Sequence, residues 1–272
     1  MSLGPLGRLS PRRWVQTFSL LVSNAYFFSW LRFIPCSYLN CSQCALATFK
    51  CPLIAFQTAG MVMGMFGALA PKTVELLIVS SAVLLLFGAA LGSWACGWLC
   101  PFGFVQDLLA KIPVPKFTLP TWVGWGRLPL FVVLLVWLPY ATKSLFFCHL
   151  CPPGAIVRLS QQGLGIPLFL RAPEGLLAAV SAAVLVLVLL LAVFSHRFFC
   201  TALCPIGGFY GLFNTFSGFH LKVDAAACNA CGKCARHCPQ GLRPHEEPNH
   251  IACSRCLECT GACKALSADV RI

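Results

Sequence analysis

Eight of the eighteen cysteines in this chain fall in two matched runs near its carboxyl terminus, Cys228-x2-Cys231-x2-Cys234-x3-Cys238-Pro239 and Cys253-x2-Cys256-x2-Cys259-x3-Cys263. Three closely spaced cysteines on a tight loop supply three corners of an iron-sulfur cubane, and a distant fourth closes the cage. In two-cluster arrangements of this spacing the fourth cysteine of each run serves the other cluster. The spacing therefore predicts two 4Fe-4S clusters, one held by Cys228, Cys231, Cys234 and Cys263, the other by Cys253, Cys256, Cys259 and Cys238. Zinc sites usually show two Cys-x-x-Cys pairs rather than two runs of four, and disulfide frameworks belong to secreted scaffolds, so both are weaker readings.

The other ten cysteines are also ordered. Cys96-Gly-Trp-Leu-Cys100-Pro-Phe-Gly and Cys200-Thr-Ala-Leu-Cys204-Pro-Ile-Gly share the pattern Cys-x-x-Leu-Cys-Pro-x-Gly. Cysteines four apart share a helix face, and the proline and glycine after them favour a turn that opens backbone amides toward a ligand. Two such units on neighbouring helices would make a four-thiolate cage from Cys96, Cys100, Cys200 and Cys204. The readings open to it are a metal or cluster site, a redox-active thiol set, or four small core cysteines. Cys51-Pro52 and Cys151-Pro152 precede the two units at similar distances, which suggests a tandem repeat related by an axis along a membrane normal. On that pattern Cys36, Cys41, Cys44, Cys51, Cys148 and Cys151 form a second group on the opposite, outer side, open to cluster binding, disulfides or a thiol relay.

These residues need elements to position them, and residues 1–219 read as membrane. Overall, 58% of residues are hydrophobic and 10% charged, against about 25% charged in soluble domains. Four segments are long and apolar enough to cross a bilayer, which takes about 20 residues: 14–34, 74–95, 129–147 and 175–195. A fifth stretch, 53–70, carries Gly60-x3-Gly64. It reads as a short span whose glycines admit a close neighbour or as a re-entrant or interfacial helix, and the mere Pro71-Lys72-Thr73 before the next span favours the re-entrant reading. The fold expected is mainly α: a polytopic helical membrane domain of about four spans over 1–219, then a two-cluster bacterial-type ferredoxin domain over 220–272.

Charge orients this arrangement weakly. With the amino terminus inside, membrane-proximal Lys and Arg nearly balance across the two faces. The cluster Arg8, Arg12 and Arg13 before the first span breaks the tie, since the first helix usually dominates, and thiolate-ligated clusters suit the cytoplasm, where thiols stay reduced. No small-residue cleavage site follows Arg12-Arg13, so 14–34 is read as a retained span. The net charge of +12 does not point to nucleic acid. Thirteen of the twenty basic residues lie in the membrane part against three acids, where they meet lipid headgroups and complement negatively charged clusters.

Several polar residues draw attention singly. His149 and His196 are candidates to ligate a metal, tune a cluster or exchange protons with a quinone, although an interfacial histidine hydrogen-bonded to backbone is the simpler reading. Asp107 is an ionisable group near a membrane, or the partner of Lys111 four residues on. Trp14, Trp30, Trp94, Trp98, Trp122, Trp125, Trp137 and Tyr140 read as interfacial anchors.

The order of spans, two Cys-x3-Cys-Pro units and a two-cluster tail resembles the NapH-type membrane ferredoxins, related to the membrane-bound iron-sulfur parts of NosR and CcoG. The resemblance covers nearly the whole chain and is most specific at 96–103, 200–212 and 228–239. It implies a bacterial-type cytoplasmic (inner) membrane protein that passes electrons between cytoplasmic or quinone donors and a membrane or periplasmic redox partner, or a subunit of a quinol dehydrogenase. Cys36, Cys41, Cys44, Cys51, Cys148 and Cys151 go beyond what a NapH-type protein needs and suggest a cysteine-rich branch, so a nitrate reductase role is not carried over. The cofactors expected are the two tail clusters, with further clusters in the membrane domain and a quinone as candidates. The alternatives are a transmembrane thiol-disulfide relay and a metal-reducing assembly factor for another metalloenzyme.

Overall fold

A computed structural model describes residues 11–23, 52–145, 147, 150–153, 155 and 176–270. The helices are α1 (Pro11–Ser23), α2 (Pro52–Phe66), α3 (Pro71–Leu91), α4 (Trp94–Trp98), α5 (Pro101–Leu109), α6 (Val123–Thr142), α7 (Leu176–Phe194) and α8 (Pro205–Leu212). The tail adds strand β1 (Phe219–Val223), short helices α9 (Lys233–Arg236) and α10 (Glu258–Ala262), and strand β2 (Leu266–Val270). Prolines open α3, α5 and α8 at the first turn, where a missing N–H costs nothing.

Among the described residues two helices, α3 and α6, are long and apolar enough to cross a membrane by length and composition; Leu53–Phe66 and Ala179–Phe194 are shorter apolar helices. Most of the first expected span, 14–34, lies outside the described residues. Inside it α1 is turned inside out: Arg12, Gln16 and Ser19 are buried, while Trp14 and Phe18 are exposed. The same outward apolar faces recur at Leu85, Leu86 and Phe87 of α3, at Val132, Val136 and Trp137 of α6, and at Val186, Leu187 and Leu190 of α7. Water would make such faces an aggregation surface, whereas hydrocarbon covers them at no cost.

Helices α2 and α6 run in the same direction, with contacts in ascending order: Phe56 against Phe131 (ring centroids 5.5 Å apart), Gly60 against Val136 and Gly64 against Tyr140. A Cβ at Gly60 would sit 2.7 Å from the Val136 carbonyl oxygen, so glycine is what lets the backbones meet. Pro139 leaves a carbonyl of α6 without its usual donor, and Val133–Trp137 just before it widens into a π-helical turn. Helix α3 returns the chain. Gly88 faces Phe213 and Gly218 donates to Ala89 O at 2.8 Å, so α3 delivers its carboxyl end to the tail.

The tail is a small two-layer unit. Strands β1 and β2 pair antiparallel with Leu221 opposite Ala268. Leu221 and Leu266 pack with Cys234 and Cys259 from the two short helices.

Candidate metal centres

Each cysteine run of the tail adopts one backbone pattern, twice. The residue before the second cysteine and the residue after it are both left-handed: Ala230 and Gly232 in the first run (φ 53° and 67°), Arg255 and Leu257 in the second (φ 50° and 62°). For the three that are not glycine this conformation costs roughly 1–2 kcal/mol each. Alternating left- and right-handed residues aim successive backbone N–H groups at one point, a concavity that suits an anion such as a thiolate-ligated cluster. A short helix then begins in each run, and its first turn buries the third cysteine, Cys234 or Cys259.

The chain also gathers the cysteines. Cys238, Cys253, Cys256 and Cys259 line one small cavity together with Pro239, Leu242 and Leu257. Cys234 and Cys263 meet in the apolar group under the sheet; Cys228 is half-buried and Cys231 exposed. None of the thirteen described cysteines is in a disulfide. Burial and neighbouring thiols push Cys259 up to about 12 and raise Cys253 and Cys238 as well. Thiols so placed take up a proton unless a cation is present, and iron supplies that charge. Backbone and side chains alike fit 4Fe-4S clusters.

The two Cys-x3-Cys units form matching turns. Cys100 caps α5 and Cys204 caps α8 with nearly the same backbone (φ −69°, ψ 113°; φ −72°, ψ 114°), and each sulfur accepts from the amide three residues on, Gly103 or Gly207, at 3.4 Å. Gln106 Nε2 donates to Cys200 Sγ at 3.2 Å. Gln106 is held by the Phe199 amide, which donates to its Oε1 at 3.0 Å. Burial, followed by the charges of Cys204 and Cys100, raises Cys96; burial raises Cys204 to about 12. Among the described residues no three Cys, His, Asp or Glu side chains converge closely enough to grip a single metal ion; a cubane instead spreads its four thiolates over the corners of a cage.

Beside this quartet lies a buried ion network. Asp107 accepts from Arg197 Nε and Nη2, both at 2.7 Å, and from Arg12 Nη2 at 2.7 Å. Arg197 also donates to Cys96 O at 2.9 Å and to Gly97 O at 3.2 Å; Arg12 and Gln16 add donors to Gly97 O. Arg12 reaches the tail as well, pairing with Glu258 at 2.8 Å. Burial works to raise the Asp107 carboxyl, but Arg197 and then Arg12 hold it below its ordinary value of 3.8. The expected pairing with Lys111 is not made; two arginines distant in sequence take its place.

The second run of the tail is seated against the quartet. Ser93 Oγ and Asn214 Nδ2 both donate to Cys253 O, and Asn214 Nδ2 also to His250 O at 3.1 Å. Trp98, stacked on Trp94 at 5.6 Å, donates to Arg255 O at 3.1 Å. Arg255 is 1% exposed. It donates to Leu91 O, Ser217 Oγ, Asn214 O and Phe219 O. A Cβ at Gly97 would run into Ser254 O, and one at Gly211 into Ile251 O.

Some expectations fall differently. Cys36, Cys41, Cys44, Cys51, Cys148 and His149 lie outside the described residues. Cys151, grouped by spacing with a distant outer set, is buried with Leu53, Leu135 and Phe147, and Ile206, two residues past Cys204, packs on the same group. Phe147 and Cys151, past left-handed Lys143, thus lie back against Leu135 of α6, which hydropathy does not reveal. His196 makes no backbone bond at Nδ1, which is buried without a partner. Trp98 is a docking donor rather than an interfacial anchor. Ser93, Asn214, Arg127 and Arg255 were not singled out by sequence; the signal that could have found Arg127 is Gly207, three residues past Cys204, which leaves room for its guanidinium.

Comparison with known proteins places these features. A 4Fe-4S binding domain family matches the chain twice, at 73–120 and 177–224, with the same offset that separates Cys96 from Cys200; a second 4Fe-4S binding domain family matches 221–242. The methylamine utilization ferredoxin-type protein MauN of Methylorubrum extorquens is 31% identical over 80% of this chain and 67% of its own length. The ferredoxin-type protein NapH of Haemophilus influenzae is 26% identical over 67% of this chain and 65% of its own. The putative electron transport protein YccM of Escherichia coli is 25% identical over 63% of this chain and 49% of its own. No solved structure matches.

Proposed function

The chain belongs to the family of ferredoxin-type membrane proteins that includes MauN and NapH, and from that membership we propose that it conducts electrons between its two-cluster tail and a third iron-sulfur site at Cys96, Cys100, Cys200 and Cys204. Iron-sulfur electron transfer is the function its domains carry; the path and the third site are our reading. The single observation behind it is the seating of the Cys253–Cys256 loop on the Cys96–Cys100 turn, through Ser93, Asn214, Trp98 and the bare Gly97.

When bound, the clusters supply one-electron storage, and the chain's residues do the rest. The left-handed positions aim amides at sulfur, Leu221 and Leu266 exclude water, and the Arg255 and Asn214 hydrogen bonds keep the two sites at a fixed separation. Exposed Cys231 puts the first tail cluster nearest an external donor, and half-buried Cys253, whose carbonyl accepts from Ser93 and Asn214, puts the second against the membrane helices. In this arrangement the four spans are the segment 14–34 that α1 opens, α3, α6 and α7, the tail faces the cytoplasm, and a redox partner on the membrane or beyond it completes the reaction.

The test is rapid-freeze EPR on the anaerobically purified full chain in nanodiscs, mixed with substoichiometric reductant. Tail signals that rise first and then share their electron with a distinct third centre agree with the proposal. The proposal fails if the tail stays reduced and alkylation instead titrates paired thiols among Cys96, Cys100, Cys200 and Cys204, the behaviour of a thiol relay.

A further inference from the structure

The two Cys-x-x-Leu-Cys-Pro-x-Gly turns each receive one buried arginine, in matching fashion. Arg197 donates to the carbonyl of Cys96, the first cysteine of one unit, and its Cζ lies 3.4 Å from where a Cβ on Gly103 would be. Arg127 donates to the carbonyl of Cys200, the first cysteine of the other, at 2.8 Å, and its Nη1 lies 3.3 Å from a Cβ on Gly207. Gly208, next along, admits the Arg127 stem. The glycine in each motif is the space its arginine occupies.

The match breaks at one place. Seven residues past Cys100 stands Asp107, which neutralises Arg197. Seven residues past Cys204 stands Gly211, with no carboxylate to offer, and the tail's Ile251 carbonyl fills the space that a side chain would take. Arg127 Nη2 donates to that carbonyl at 2.9 Å. Its Nε bonds within its own helix, to Gly124 O at 3.1 Å. Arg127 is therefore a guanidinium 3% exposed whose three contacts are all neutral carbonyls, and among the described residues no carboxylate pairs with it.

A buried charge without a counter-charge costs several kcal/mol unless something offsets it. Arg127 sits against the turn that carries Cys200 and Cys204, through the Cys200 carbonyl and the space at Gly207, so thiolates of a bound cluster there are the groups of opposite sign within its reach. We propose that Arg127 is the counter-charge of the Cys96, Cys100, Cys200 and Cys204 site: it raises the reduction potential of the cluster there, while its other arm ties that site to the tail two residues before Cys253. The proposal rests on the third site proposed above. A fixed positive charge favours the more negative, reduced state of a thiolate-ligated cluster. Asp107 cancels this effect for Arg197, and nothing cancels it for Arg127. The chain thus carries a positive bias on the side where the tail docks, and an electron from the tail is drawn toward the membrane site.

The experiment compares wild type, Arg127→Gln and Arg127→Lys as full-length chains in nanodiscs, with iron content measured alongside an EPR-monitored redox titration. Arg127→Gln is expected to lower the midpoint of the membrane cluster by at least tenfold in the reduction equilibrium, about 59 mV for one electron. Arg127→Lys, which keeps the charge but not the fork, is expected to stay closer to wild type than to Arg127→Gln. Full iron content with an unmoved midpoint in Arg127→Gln overturns the proposal, and so does a Lys variant that falls as far as the Gln variant. A wild type with iron for the tail clusters alone overturns the third site itself, and the iron count separates that failure from the other.

Discussion

Asp107 accepts from two arginines at once, with its side chain 20% exposed, Arg197 at 1% and Arg12 at 9%. Its removal leaves Arg197 charged and buried, the case in which breaking a pair costs about 3–5 kcal/mol. We predict that Asp107→Asn destabilises the chain by an amount in that range, measured as a lowered midpoint in denaturant with the tail clusters' absorbance as the probe; a change under about 1 kcal/mol contradicts the network's role. The sign with pH follows from the same pair. A carboxyl lowered on folding contributes stability that is complete above its ordinary value of 3.8 and is lost as pH falls through its lower folded value. Wild type is accordingly expected to lose its advantage over Asp107→Asn only in that acid range. Sequence made Asp107 visible as an ionisable residue near a membrane, but its partner was not legible. Helical spacing offers only Lys111, whereas Arg12 and Arg197 arrive from other helices, and no local rule links positions some 90 residues apart.

At the scale of elements, docking depends on glycines that let the tail approach, Gly97, Gly211 and Gly124 among them. Gly97 faces Ser254 O, Gly211 faces Ile251 O, and Gly124 faces Ala252 with a Cβ contact of 3.1 Å. Adding a methyl at Gly97 forces the turn and the loop apart, at about 1–3 kcal/mol for an overpacked contact. Gly97→Ala is expected to keep its tail iron, to raise amide exchange across 249–256, and to slow electron passage out of the tail; exchange and transfer both at wild-type rates would count against docked conduction. The elements themselves were partly legible. Cysteine spacing located both tail loops, and hydropathy located α3 and α6. The packing of Phe147 and Cys151 against Leu135 was hidden, because a left-handed residue at Lys143 leaves no mark in an apolar average. So was the polar inner face of α1, because Arg12, Gln16 and Ser19 look like a solvent face until a bilayer replaces the solvent.

Over the whole molecule, three groups of cysteines follow one another along the proposed path: Cys228 and exposed Cys231 in the first loop of the tail, Cys238 to Cys259 around the inner cavity, and the half-buried quartet at the ends of α3 and α7. The repeat that builds the quartet was legible in its spacing, and the doubled family match at 73–120 and 177–224 reproduces it. What spacing could not supply was the asymmetry between the halves, since Asp107 and Gly211 acquire their meaning only from Arg197 and the docked tail. The measurement that tests the central claim most directly is iron and acid-labile sulfide per chain, on anaerobically purified wild type beside a variant with Cys96, Cys100, Cys200 and Cys204 changed to serine. The account predicts about twelve irons or more in wild type and a loss of about four in the variant. About eight irons in both would contradict it.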